Sequence, residues 1–413
     1  MIGWSEEELA VRDAVRSFVD KEIRPLQDEL EHGGLPPYAL IRKYFAAFGI
    51  DEMAGAAFDA QIAAAEGSAP GSTLGTATAA TGMDAAMMTI ANIELVKVSM
   101  GIPAAIGVSA GLTAGTINAR GTVEQRKRWA RDLMTFEKVG AWAITEPDSG
   151  SDAFGGMRTT VRADGDGWIL KGQKTFITNG PYADTMVVYA KLVDDTVTSP
   201  EDLRTRPVLT FVLDAGMEGL TQGKPFKKMG MASSPTGELF FDNVRLDRDR
   251  LLDGSGSAAA ADGRESAKAN FVLERVGIAT FALGVIEECL RLCLDYARSR
   301  QLWGKPIGDF QLIQLKIAEM EVARINVQNM VFQTLEARRA GTLPSLAEAS
   351  AMKLYSSKAA CDVAMEAVQL FGGNGYMAEY RVEQLARDAK SLMIYAGSNE
   401  VQVTHVAKGL LRG

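Results

Sequence analysis

Histidine and cysteine are scarce in this chain: two histidines, His32 and His405, and three cysteines, Cys289, Cys293 and Cys361, among 413 residues. The histidines lie far apart, so a His-rich metal site is excluded. Cys289 and Cys293 stand four residues apart on an expected helix with no further ligands nearby, and read as buried structural thiols. Other signatures are missing too. There is no G-x-G-x-x-G after a strand, no P-loop and no alternating strand–helix pattern, which disfavours a dinucleotide-binding Rossmann dehydrogenase and an NTPase. No excess of positive charge is present: the formal net charge is −8, so no nucleic-acid partner is expected. No apolar run reads as long enough to span a bilayer. The N-terminus "MIGWSEEELAVRDAVRSF" is acidic and amphipathic, unlike a signal or transit peptide. No membrane insertion and a cytoplasmic location are expected.

What is present is an ordinary globular composition, 47% hydrophobic and 23% charged, in a chain too long for one core. Residues 1 to about 140 read as helical. Ser5 and Glu8 form a capping-box pattern, and Val11, Val15 and Phe18 make an apolar face. Ala54 to Gly82, rich in Ala, Gly, Ser and Thr, reads as a loop with short helices. Met100 to Gly121 is apolar with many small residues, which suits close helix packing or room for a ligand.

The texture changes near Ala141. Two β-type runs flank "DGDG" (Asp164–Gly167), a hairpin signal. "TMVVYAKL", "PVLTFVLD" and "GELFFDNVRL" are further strand candidates, rich in Val, Phe, Thr and Leu. "DGSGSAAAADG", Asp253 to Gly263, looks like a flexible connection. Beyond it, helices are expected at about 267–299, 309–340, 345–371 and 378–392, with another after Gly397; long striped helices with short connections predict a bundle. The fold class is α+β: an N-terminal helical domain over 1–140, a middle β domain over 141–255 and a C-terminal four-helix bundle over 256–413.

Five motifs occur in order along most of the chain: "AWAITEPDSGSD", "KTFITNGPYAD", "GELFFDNVRL", "ARSRQLWGKPIGDFQ" and "QLFGGNGY". As a set they resemble the acyl-CoA dehydrogenase family. The resemblance implies FAD as cofactor, an acyl-CoA substrate, electron-transfer flavoprotein as electron acceptor and a homotetramer. It places Trp142, Ile144 and Thr145 in the cofactor site, with Thr145 and neighbouring backbone groups at the flavin's polar edge. Ser151, at the Gly150 turn, is placed by the pyrophosphate and the substrate, where a hydroxyl and free N–H groups suit an anion. Thr178 resembles the residue that bonds flavin N5. Phe176 stands where the family usually has Trp, which keeps an aromatic wall and loses an indole N–H. Arg300, Trp303 and Gln311 resemble residues that reach the ADP half of FAD on a neighbouring subunit, and the forked Arg300 guanidinium suits a diphosphate. Gln369 and Gly373 resemble adenosine-side contacts.

The family reaction needs a base to take the α-proton of the thioester. Many members carry a Glu immediately before the Gly of a terminal "Y-E-G-T". Here the slot reads Tyr395-Ala396-Gly397-Ser398. Ala396 has no carboxylate, although its backbone N–H can still bind the thioester oxygen, with Gly397 beside it. Ser398 and Glu400 fall on the cofactor side of that loop, which rejects Glu400 as the base. A subset of isovaleryl- and long-chain-type members keeps its Glu on a distant helix, as "ER" in an apolar run. "NFVLERVGIATFALG" supplies Glu274, on one face with Ile278, Phe281 and Val285. Apolar surroundings would raise its pKa toward the range of a useful base. Arg275 resembles the family's arginine near the CoA adenine. The implied activity is FAD-dependent dehydrogenation of an acyl-CoA to trans-2-enoyl-CoA. A catalytically silent FAD-binding partner subunit and an acyl-CoA oxidase remain alternatives.

Overall fold

The computed structural model describes residues 3–67, 84–197, 199–252 and 263–412. Helices come first. Helix α1 (Glu6–Phe18) starts at the expected capping box, Ser5 and Glu8 each bonding the other's backbone N–H. Helices α2 (Gln27–Glu31), α3 (Tyr38–Ala47), α4 (Ile50–Glu66), α5 (Ala85–Val96), α6 (Gly101–Ile106), α7 (Ala114–Arg120) and α8 (Val123–Met134) follow. Where a loop with short helices was expected from Ala54, α4 runs unbroken to Glu66. Its alanine-rich sequence has high helix propensity, and Phe58 and Ile62 anchor it by burial. The rest of that stretch, 68–83, and most of the 253–263 connection lie outside the described residues.

One expectation is corrected. The helical stretch Gly101–Arg120, which joins α6 and α7 through a π-helical segment at Gly107–Thr113, is long and apolar enough to cross a membrane by length and composition. The small residues that broke up the apolar run in sequence do not break the helix. Here one side of the stretch packs against the protein, with Ile102, Ala105, Ala114 and Ile117 buried, and the rest of it is partly exposed. Ser109 Oγ accepts the Gly140 N–H at 2.8 Å.

The strands are β1 (Gly140–Ala143), β2 (Thr160–Asp164), β3 (Gly167–Thr178), β4 (Thr185–Leu192), β5 (Val208–Asp214), β6 (Leu220–Gln222) and β7 (Thr236–Leu246), with the short helix α9 (Pro200–Thr205) before β5. Along one edge β4 pairs with β1 and then β2, both parallel; along the other it pairs antiparallel with β5. The expected hairpin joins β2 to β3 in register Asp164↔Gly167, with Gly165 at φ +61°, a backbone that favours glycine. Antiparallel β7 and β6 complete the seven-stranded sheet.

The helical half consists of α10 (Arg264–Ser299), a two-stranded hairpin of β8 (Gln301–Leu302) and β9 (Lys305–Pro306), α11 (Gln311–Arg339), α12 (Leu346–Phe371), α13 (Val382–Leu392) and α14 (Asn399–Arg412). One core joins them: Cys289, Val327, Ala360 and Leu385, from four different helices, are all buried in it. Gly284 lets α10 press against α5, because a Cβ there would stand 2.8 Å from Val96. Cys289 and Cys293 are buried free thiols. Burial pushes both up, so they are inert packing groups. Among the described residues no cluster of His, Cys, Asp or Glu could hold a metal.

The loop after β1 is tied to β3 by a buried ion pair. Lys174 Nζ donates to Glu146 Oε1 at 2.8 Å and to Ile144 O at 3.0 Å. Burial pushes the Glu146 carboxyl up, but Lys174 and the N–H groups of Thr159 and Arg158 outweigh it and the net shift is downward. Burial holds Lys174 down to about 8 even beside the carboxylate. Removing one partner strands the other. Lys174→Met should cost about 3–5 kcal/mol of stability by urea titration. A loss below about 1 kcal/mol would mean that the backbone N–H groups alone hold Glu146.

Candidate active site

Glu146 organises the loop that follows β1. Its Oε2 accepts the Arg158 N–H at 2.6 Å, and Oε1 accepts that of Thr159 at 3.0 Å as well as the Lys174 ammonium. Both ends of the 146–158 loop thus meet on one carboxylate. Ser149 Oγ donates to Asp152 O at 2.7 Å and tightens the tip, where Ser151 is exposed. Thr145 O accepts the Thr175 N–H at 2.9 Å, so Thr145 lies beside the end of β3 that carries Phe176 and Thr178. Phe176 is 66% exposed and has a left-handed backbone, φ +57°. Its ring has one aromatic neighbour among the described residues, Phe226, tilted at 5.9 Å.

Trp142 connects this loop to α10. Its Nε1 donates to Thr116 Oγ1 at 3.2 Å, and Asn270 Nδ2 donates to the same oxygen at 3.0 Å. The Trp142 and Phe271 rings are 6.1 Å apart, edge to face. One helical turn along from Phe271 is Glu274. It is partly exposed, yet burial pushes its carboxyl up to about 7, with Arg275 and Lys353 acting against the rise. A Cβ on Gly277, three residues further along α10, would meet nothing within 4 Å, so open space adjoins this face of the helix. Gly107 and Gly111 of the π-helical segment face open space as well.

The Tyr395–Ser398 turn lies against the same part of α10. A Cβ on Gly397 would stand 3.5 Å from the Arg275 guanidinium, and the buried Tyr395 hydroxyl, pushed up mainly by burial, is also raised by Glu274. Arg275 itself is 3% exposed and donates to Ser350 Oγ at 3.0 Å. The guanidinium is thus held under the turn. Ala396 is left-handed, φ +58°, and its N–H makes no hydrogen bond among the described residues. Glu400 has the opposite character to Glu274. It is exposed in the first turn of α14, and its own backbone N–H and the Ser398 hydroxyl hold it below the usual carboxylate range. Two carboxylates with environments this different are suited to different tasks.

The remaining candidates gather at the other end of α10. Arg300 is exposed, with no ion-pair partner among the described residues. Trp303 is 84% exposed with φ +50°, and Gln311 begins α11, also exposed. Gln369 and Gly373 are exposed at the end of α12, which is fastened to this end of α10 by the Tyr296–Phe371 ring stack at 4.0 Å. A Cβ on Gly373 would meet nothing within 4 Å. The 26 residues from Glu274 to Arg300 span about 39 Å of helix, so within one chain the two groups of candidates are far apart.

The donors fit a flavin nucleotide. Exposed aromatic rings at Phe176 and Trp303 offer faces for stacking, Thr145, Thr178 and Ser151 offer hydroxyls, and Arg300 is a free cation for a diphosphate. Sequence reasoning missed Glu146, Lys174, Lys353, Asn399 and Gln402. Lys174 carried a readable signal, since it stands on the same face of β3 as buried Leu170. Asn399 and Gln402 carried none, because polar residues on an amphipathic helix read as its wet face.

Three family models match in succession: the acyl-CoA dehydrogenase N-terminal domain over residues 61–137, the middle domain over 141–244 and the C-terminal domain over 261–411. An acyl-CoA dehydrogenase of Bacillus subtilis (strain 168) is 34% identical over 409 residues, 99% of either chain. A subunit of the caffeyl-CoA reductase-Etf complex of Acetobacterium woodii is 31% identical over 414 residues, again 99% of either chain. The crystal structure of a glutaryl-CoA dehydrogenase from Mycobacterium smegmatis in complex with FADH2 superposes with a TM-score of 0.84 at 27% identity, over 99% of this chain and 96% of that one. The matches cover the helical, β and helical parts in turn and agree with the flavin-suited donors: this chain belongs to the acyl-CoA dehydrogenase family, FAD-dependent oxidoreductases that act on CH–CH bonds.

Proposed function

We propose that the protein converts an acyl-CoA thioester to its trans-2-enoyl-CoA, with Glu274 as the base. The observation that carries this reading is the Glu274 carboxyl, partly exposed beside the Tyr395–Ser398 turn and raised by burial to about 7. A carboxylate in that range takes a proton far better than an ordinary one and is about half ionised at neutral pH. Glu274 removes the α-proton as the β-hydrogen departs with its electron pair. Bound FAD supplies the acceptor for that hydride. The free Ala396 N–H bonds the thioester oxygen and stabilises the negative charge that develops there, a task that needs no side chain. Arg275 and Lys353 keep the Glu274 charge from being prohibitive. Electron-transfer flavoprotein is the proposed electron acceptor, supported by the Etf-complex relative. A homotetramer is the proposed assembly. The length of α10 supports it, since Arg300, Trp303 and Gln369 can complete a flavin site only if a second copy brings them to the Glu274 end.

Three outcomes test this. Glu274→Gln should leave the protein folded and yellow and slow flavin reduction by acyl-CoA about 10²–10⁴-fold under anaerobic stopped flow. A variant that bleaches at the parental rate would reduce Glu274 to a structural charge. The raised pKa fixes the sign of the pH profile. Below about 7 the carboxyl holds its proton and is idle; above it the carboxylate acts, so the parental rate should rise with pH and level off above about 7. Glu400→Gln should keep most of the turnover, and a loss of about a thousandfold with FAD retained would reverse the assignment of the base.

Arg300→Ala should lower the flavin content of the purified protein and shift its assembly toward smaller species, read by absorbance and light scattering. Unchanged flavin content and size would remove Arg300 from the cofactor site.

A further inference from the structure

The turn that carries Ala396 is held by residues that the reaction itself does not use. Ala396 and Gly397 are consecutive left-handed residues, φ +58° and +82°. That backbone is unfavourable for an alanine and needs compensation from its surroundings. Gln402 provides it. Its side chain is fully buried, and Nε2 donates to Ala396 O at 3.1 Å and to Gly397 O at 2.7 Å. Two carbonyls fix which end of the amide faces the turn, because only the nitrogen donates. A Cβ at residue 397 would stand 2.6 Å from that nitrogen, so Gly397 also leaves room for the contact.

A second tie holds the start of α14. Asn399 Oδ1 accepts from Lys353 Nζ at 2.9 Å and from Ser357 Oγ at 3.1 Å, both on α12. The Asn399 N–H reaches back to Met393 O at 3.0 Å. Lys353 is completely buried, and burial holds its ammonium down to about 8. A buried lysine whose ammonium bonds a neutral amide is costly, which marks this contact as more than incidental packing.

We propose that Gln402 and Lys353 are positioning residues: Gln402 locks both carbonyls of the turn, Lys353 locks Asn399 behind it, and together they hold Ala396 left-handed with its N–H free for the thioester oxygen. This rests on the acyl-CoA dehydrogenase reading above. Peptide planarity transmits the constraint. With the 396–397 and 397–398 peptide planes held, the Ala396 N–H can move only by rotation about its own φ and ψ.

The test uses the FAD-loaded protein and Gln402→Met, which keeps the length of the side chain and removes its donors. Two readouts are taken together: amide hydrogen exchange of the 393–402 segment, and the limiting rate of flavin reduction beside the apparent KM for acyl-CoA. The expected result is at least about tenfold faster exchange confined to that segment. The limiting rate should fall about 10²-fold, as for an ångström-scale misplacement, with a smaller change in KM. Lys353→Met should act in the same direction. If Gln402→Met does not fold, Gly397→Ala pushes on the same contact and gives the same two readouts. Parental exchange in the segment, or faster exchange with a parental reduction rate, overturns the proposal. A parent protein whose flavin no acyl-CoA reduces would overturn the proposed function, and the exchange readout alone would then decide whether Gln402 holds the turn.

Discussion

One buried carboxylate, Glu146, closes the loop that carries several of the candidate flavin-binding residues. It gathers the Lys174 ammonium from β3 and the N–H groups of Arg158 and Thr159 from the far side of the loop. The loop tip that carries Ser151 owes its place to that closure, while Trp142 and Thr145 are fixed by β4, Thr116 and Thr175. Ionic groups out of water are a poor source of net stability, because desolvation cancels much of the attraction. Their value here lies in specificity. Met157 and Phe154 anchor the second half of the loop in the core, and a carboxylate with several fixed donors ties its two ends together.

The proposed base shows a related economy. With Glu274 in that role the acid stands on a long rigid helix instead of on the 395–398 turn. On the turn, the role proposed for Ala396 is a backbone one, and such a role depends on the conformation of the chain rather than on the side chain. On α10, Glu274 is carried by Ile278 and Val285, which are buried along the same stripe. The helix therefore supplies the low-polarity surroundings that raise the carboxyl, and Arg275 and Lys353 keep the rise from going further. Glu400, a few residues past the turn, has exposure and two donors and is driven the other way.

The same helix separates the two groups of candidate cofactor residues. Glu274 stands near its start and Arg300 just past its end, about 39 Å on. A continuous helix cannot fold back on itself, so its length is a constraint on assembly as well as on the monomer. Exposed Trp303 and Tyr376 at the far end have little protein covering them within the chain.

Much of this was legible in the residues themselves. The helix, strand and helix order followed from periodicity and β-branched content; the Asp164–Gly167 hairpin, the Ser5 capping box and the extents of the long helices followed from local chemistry, which acts over a few residues. The motifs singled out the candidate residues of the loop after β1 and the "ER" pair at Glu274 and Arg275. Tertiary structure decided what depends on contacts across the chain. It joined small-residue-rich 101–120 into one helical stretch and buried part of it, set Arg275 beneath the Gly397 turn, and turned Gln402 and Asn399 inward from a helix whose pattern reads as wet. It also gave Lys174 a carboxylate from another strand's loop. Local pattern reports which residues are apolar and how they repeat. It does not report which distant polar group will meet a buried donor, because that pairing is fixed only when the elements pack.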